Sequence, residues 1–234
     1  MSATFQPFGL KPAFHPSGLD RATPFAGTNS FNGNSYSPTT GTFIYGLSSG
    51  QSFWQYQPVA INTSGQLIIA NQTAGSGKVF GVFDGVEYTN SDGRRSVAKY
   101  ASKTTLDAST QIIFWIFSDP GIVYEAQING SATALAIGSE YNFDTSTAYI
   151  VNGVAVGSTA AAGYAIGVGG AGFSTTALLA TAVTTGAQGQ VRVVGLGREA
   201  AYPAGNTNAW GDSYTIVQVQ ICNNAFAAPS VTVN

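Results

Sequence analysis

The sequence predicts an all-β fold with a sandwich or barrel-like core, and three observations carry that prediction. Gln111–Phe117 (QIIFWIF) is apolar on both alternating sets, with Ile113, Trp115 and Phe117 on one and Ile112, Phe114 and Ile116 on the other. A strand of this kind is covered on both faces, by a second sheet, a barrel interior or another subunit. Gly121–Ile128 and Ser213–Cys222 show the simpler alternation of half-buried strands. Between such runs stand turn signals, among them Thr63-Ser64-Gly65, Asn90-Ser91-Asp92-Gly93 and Asp119-Pro120-Gly121.

Composition bounds the function classes. Of the 234 residues only 9% are charged, against roughly a quarter in ordinary globular domains, while 44% are hydrophobic and 12% aromatic. Such a chain can fill a core, and its hydrophilicity rests on Ser, Thr, Asn and Gln. A net charge of −2 gives no electrostatic footprint for nucleic acid or for an anionic membrane. It does suit a protein packed in many copies, where self-repulsion would accumulate. With one Cys and one His, no intrachain disulfide and no Cys/His zinc site can be assembled, and no metal or cofactor is expected. No basic-then-apolar leader opens the sequence, and no apolar run approaches the ~20 residues of a membrane-spanning helix, which predicts synthesis in the cytoplasm without a signal peptide.

Residues 1–40 lack a strand or helix period. Pro7, Pro12, Pro16, Pro24 and Pro38 interrupt them, yet Phe5, Phe8, Leu10, Phe14, Leu19, Phe25 and Phe31 give them large apolar groups that a disordered linker seldom holds. They read as an extended arm, either ordered by lying on another surface or covering its own sheet. The first alternative predicts that residues 1–20 matter more for attachment than for folding. Ser52–Ile61 reads as an edge or bent strand because of Pro58. Lys78–Tyr88 and Arg95–Tyr100 flank a hairpin turn, with Gly81 and Gly85 marking bulges or close packing. Asp119-Pro120-Gly121 fits a type II turn with φ > 0 at Gly121; beyond it Ile122, Tyr124, Ala126 and Ile128 are expected to face in, and Glu125 and Gln127 out.

From Ser131 the composition shifts to Ala, Gly, Ser, Thr and Val, which cannot hold a core of ordinary density alone, with a short helix suggested at Ser174–Val183. Gln190–Leu196 and Ser213–Cys222 return to strand, the latter with Thr215, Val217, Val219 and Ile221 on one face. The organisation is thus an arm over 1–40, a first part of the β core over 41–130, a Gly/Ala-rich elaboration over 131–189, closing strands over 190–226 and a tail over 227–234.

Candidate chemistry is sparse. Gly167-Val168-Gly169-Gly170-Ala171-Gly172 fits G-x-G-x-x-G, but no βα alternation surrounds it, and Arg192 stands where an acid would be needed. His15 has no orienting partner or nucleophile that the sequence identifies. Asp84, Glu87, Asp119 and Glu125 lie by turns and strand exits, where capping and solvated roles are the default. Trp54 and Tyr56 could stack on a sugar, the basis for an alternative carbohydrate- or receptor-binding module. Catalytic residues: none.

Pro7–Gly18 (PFGLKPAFHPSG) resembles the opening of a family of tailed-phage head decoration, or cement, proteins, whose members begin with Pro-Phe-Gly-Leu-basic-Pro followed by His and Ser/Gly. Gly77–Glu87, Ser118–Gly130, Val191–Leu196 and Asp212–Phe226 resemble further segments of that family in the same order. Residues 131–189 depart from it, and Asn224 stands where members often carry His. The resemblance implies a non-enzymatic virion protein on the exterior of an assembled capsid, with the major capsid protein as partner. It makes Phe5, Pro7, Phe8, Gly9, Leu10, Pro12, Phe14 and His15 the candidate capsid-binding arm. The doubly apolar strand and the Ala/Gly-rich stretch point to a homo-oligomer, with Ile112, Phe114 and Ile116 as candidate contacts between copies. By analogy with shell decoration the expectation is a trimer, with a dimer as runner-up.

Overall fold

The structure is a computed structural model that describes residues 7–16, 22–26, 53–61, 67–70, 78–101, 105, 109–144, 149–151, 154–156, 174, 176–184, 187–198 and 208–225. Its strands in chain order begin with β1 (Lys11–Phe14), β2 (Thr23–Ala26), β3 (Phe53–Trp54), β4 (Gln57–Ile61), β5 (Leu67–Ile69) and β6 (Gly81–Thr89). Then come β7 (Arg95–Ala98), β8 (Tyr100–Ala101), β9 (Thr110–Phe117) and β10 (Val123–Gln127). A 3-10 turn at Ala134–Ala136 precedes β11 (Glu140–Tyr141), β12 (Phe143–Asp144), β13 (Tyr149–Val151) and β14 (Val154–Val156). The last are β15 (Ala177–Leu178), β16 (Val191–Leu196) and β17 (Ile216–Ile221).

The fold is all-β, as expected, with a sandwich-like core of two antiparallel sheets. The first has five strands in the order β1-β10-β17-β16-β11. The second has six, in the order β2-β9-β6-β4-β5, with β7 beside β6 next to the end of β4. Between them lies one hydrophobic cluster, where Tyr124, Ala126, Ile128, Val191, Val193, Val217, Val219 and Ile221 of the first sheet meet Ala60 and Val82 of the second. Alternation sends Val59, Phe83, Phe114 and Ile116 to the opposite face of the second sheet. There they pack with Phe53 of β3, whose ring centroid lies 5.6 Å from those of both Phe83 and Phe114. The second sheet is therefore a middle layer, which is why β9 is apolar on both sides. Each large side chain removed from water in these clusters stabilises the fold by about 1.5–3 kcal/mol.

Local devices explain the strand ends. Gly93, at φ +82°, closes the β6–β7 hairpin with its N–H donated to Asn90 O (2.9 Å). A Cβ on Gly81 would stand 2.4 Å from Phe117 O, so β6 and β9 approach at a glycine, and the register shifts between Phe83 and Gly85 as a bulge.

Several expectations are corrected. The strand expected at Ser52–Ile61 is bent, with Tyr56 at φ 66° between β3 and β4, but β4 lies between β5 and β6 and is not an edge. Pro58 is tolerated because it faces Ala70, one residue past β5, so its missing donor falls at the end of that ladder; its carbonyl accepts the Ala70 N–H at 3.0 Å. Gly121 keeps a negative φ, so the turn is not type II. No helix forms at the described positions of 174–183; Ala177–Leu178 is a strand paired with Phe143–Asp144. Tyr141, Phe143 and Leu178 are core residues, so parts of 131–189 build the sandwich and do not merely lie over it. Glu125 and Gln127 point away from the core as predicted, yet they are 6% and 2% exposed. The chain after β16 contributes to the cover of Glu125, Arg198 N–H donating to its Oε1 at 2.6 Å. Alternation fixes which way a side chain points, not what lies over it.

Candidate functional site

The arm and the corner it follows form the candidate site. β9 belongs to the second sheet and β10 to the first, so Ser118–Ile122 carries the chain across the edge of the sandwich. Ile122 N–H donates to Asp119 O (3.3 Å), Gly121 N–H to Asp119 Oδ1 (2.7 Å) and the Tyr124 hydroxyl to Phe117 O (3.3 Å). The arm repeats this crossing in the opposite direction. β1 pairs with β10 through Lys11↔Glu125, Pro12↔Tyr124 and Phe14↔Val123, and β2 pairs with β9 from Thr23↔Ile116 to Ala26↔Ile113. The arm is thus the edge strand of both sheets. Its prolines, which hide any strand period, fit that place, because an outer edge can lack a donor.

The Pro7–Leu10 segment is held by backbone geometry. Gly9 has φ +77°, and a Cβ there would lie 2.2 Å from Tyr56 O. Leu10 N–H donates to that same carbonyl at 2.8 Å, and Gly9 N–H to Thr176 O at 3.2 Å. Tyr56 adopts a left-handed conformation that costs a non-glycine residue about 1–2 kcal/mol, and its carbonyl is the acceptor that holds the arm. Sequence reasoning named Tyr56 only as a ring that could stack on a sugar and missed the role of its carbonyl, because nothing in its neighbours marks a positive φ.

Of the candidate arm residues, Pro7, Gly9 and Leu10 are buried, Leu10 at 1% exposure within the inter-sheet cluster. Phe8, Pro12, Phe14 and His15 are half-buried, and Phe5 lies outside the described residues. Phe14 carries the Arg198 guanidinium 5.4 Å above its ring centroid. His15 Nε2 is 3.3 Å from Asp119 Oδ1 at the corner. The Gly121 N–H, and then His15, hold the Asp119 carboxyl below its usual range. A Cβ at Gly121 would come within 2.8 Å of His15 Nε2, so this glycine makes room for the imidazole. The described part of the arm covers its own sheets, the second of the two alternatives. It cannot act as a detached tail while Leu10 fills the core.

The candidate contacts between copies are also corrected. Ile112, Phe114 and Ile116 are 2%, 1% and 0% exposed beneath Phe53, and no second chain could reach them without opening the core. Trp54 is only 4% exposed and stacks on Tyr100 at 4.0 Å, so it offers no open platform for a sugar. The large apolar groups that stand out among the described residues are Leu135 at 89% and Ile137 at 53%, with Val194 on β16 and, apart from these on β7, Val97 at 71%. Gly138 N–H donates to Val193 O (2.8 Å), and Val193 N–H to Ser139 O (3.0 Å), so the exposed turn is anchored to β16.

Several of the described carboxylates are engaged in ion pairs. Asp84 meets Lys99 at 2.8 Å, Glu87 meets Arg95, and Glu140 meets Arg192 at 2.6 Å while also accepting Gly189 N–H at 2.7 Å. Arg95 and the Arg192–Gly189 set hold Glu87 and Glu140 below the usual carboxylate range. Cys222 donates to Gly189 O, and burial pushes its thiol up to about 11. Among the described residues no three His, Cys, Asp or Glu side chains converge as metal ligands, and no helix is long and apolar enough to cross a membrane. The Gly167–Gly172 segment lies outside the described residues. What the arrangement supplies is surface: two proline-bearing edges and an exposed apolar turn. No protein-family model, no curated protein and no solved structure matches the chain.

Proposed function

We propose that this chain is a structural protein of a tailed-phage particle, seated on the exterior of the assembled head, where it braces neighbouring major capsid proteins and performs no catalysis. The observation that supports this most is the Pro7–Gly18 string, together with where the other resembling segments fall. Pro7–Gly18, Ser118–Gly130, Val191–Leu196 and Asp212–Phe226 are far apart in sequence, yet they supply β1, β10, β16 and β17, four neighbours in one sheet. Gly77–Glu87 supplies much of β6 in the other sheet.

A protein that binds only the assembled shell stabilises it by mass action. The low charge permits close packing of copies, and the Leu135–Ile137 turn offers an apolar contact of the kind that anchors an interface. The partners are the major capsid protein and further copies of this chain, as a trimer on a threefold position or, as the runner-up, a dimer on a twofold position. Purified chain added to mature shells lacking it should bind to a fixed, saturating stoichiometry and raise the temperature at which shells open. Leu135→Asp should weaken that binding while leaving the unfolding midpoint of the free protein unchanged. Absence of binding to intact shells by the parent chain contradicts the proposal.

A further inference from the structure

We propose that the arm is exchangeable between copies: residues 7–26 of one chain can occupy the β9–β10 corner of a neighbour in place of that neighbour's own arm. This deepens the self-association proposed above, but it is independent of the shell.

Three observations carry it. First, the arm's ladder partners all come from one corner, β10 for β1 and β9 for β2, with Tyr56 O and Thr176 O as its anchors. Being the outermost strand of both sheets, it can depart as a unit without separating β9 from β6 or β10 from β17. Whatever the arm gives up on leaving its own corner it regains from the same residues of an identical neighbour, so exchange is close to neutral in free energy apart from the connection. Second, positions 27–52 connect β2 to β3, twenty-six residues that covalent geometry allows to span at most about 90 Å. Exchange requires only that a neighbour's corner lie within that reach. Third, Pro12 and Pro24 remove two donors from the arm, which discourages a further strand from adding outside it. Each corner then takes one arm, and passing arms around a ring gives a closed cyclic oligomer.

The test uses the full chain with Cys222→Ala throughout, so that only introduced thiols react. Ala26 and Ile113 face each other across β2 and β9, at the Cα separation of about 4.5–5.5 Å that a disulfide accepts. The double variant Ala26→Cys/Ile113→Cys, oxidised when dilute, should close an internal bridge and report the register. Separate Ala26→Cys and Ile113→Cys chains are then mixed in denaturant, co-refolded at increasing concentration and oxidised. Exchange predicts a disulfide-linked heterodimer that rises at least tenfold between about 10 μM and about 1 mM, where the neighbour's arm rivals the tethered one. A control pair, Ala26→Cys with Ser91→Cys, places the second thiol at the β6–β7 hairpin tip and sets the background. Heterodimer at background level at every concentration overturns the proposal, as does failure of the double variant to close internally. Shells still decorated in that case would leave the capsid role standing and exchange alone refuted.

Discussion

Leu10→Ala separates an arm that is part of the fold from one that merely rests on it. Leu10 is 1% exposed, packs in the cluster between the sheets, and follows a glycine whose geometry admits no side chain. Truncation removes the buried isobutyl group and leaves a cavity walled by strands of both sheets, which can collapse only partly. Loss of transfer energy plus the cavity term gives about 3 kcal/mol. That is more than a hundredfold in the ratio of folded to unfolded chain, about tenfold per 1.4 kcal/mol. With a urea dependence of about 3 kcal/mol/M, the upper end for small domains, the midpoint should fall by about 1 M. Urea unfolding followed by tryptophan fluorescence and by circular dichroism reads it, since Trp115 lies in β9 opposite Pro24. Phe14→Ala, at a half-buried ring, should cost clearly less. A midpoint shift below about 0.2 M for Leu10→Ala would refute the packing described for the arm.

Gly81→Ala should destabilise by about 1–3 kcal/mol in the same assay, because its Cβ would stand 2.4 Å from the Phe117 carbonyl oxygen and force β6 from β9. Cys222 should react slowly with iodoacetamide at pH 8. Raising its pKa from 9.0 to about 11 lowers the thiolate fraction, and after the gain in nucleophilicity the net rate should fall about tenfold, with half-burial slowing it further. Asp119, whose pKa is lowered in the fold, contributes stability that is present above its ordinary value of 3.8 and lost as pH falls through the folded value. Asp119→Asn should therefore lower the melting temperature slightly near neutral pH, with the gap to the parent closing below pH 3.8 and narrowing in salt, since the carboxylate is 42% exposed.

The local devices are legible in the sequence. The Asn90–Gly93 hairpin, the glycines of β6 and the alternation of β10 and β17 are written in neighbouring residues, and the structure follows them. What escapes a local reading is pairing at a distance. Pro12 and Pro24 argue against ladder bonding, yet they sit on strands whose partners lie about a hundred residues away. A doubly apolar β9 announces two covering layers without saying whether a second chain or Phe53 provides one. The same limit hides the cover over Glu125, since Arg198 lies far along the chain. At the candidate site the PFGL string is visible, but its acceptor, the Tyr56 carbonyl, depends on a backbone conformation that no local residue signals.

The central claim is the role on the capsid, and a cryo-electron microscopy reconstruction of a particle carrying this chain tests it most directly. The predicted result is density for the two-sheet sandwich on the outside of the head, in symmetric clusters of touching copies, with each cluster bridging at least two major capsid proteins. The chain found inside the head, in the tail, or as isolated copies that bridge nothing would contradict it.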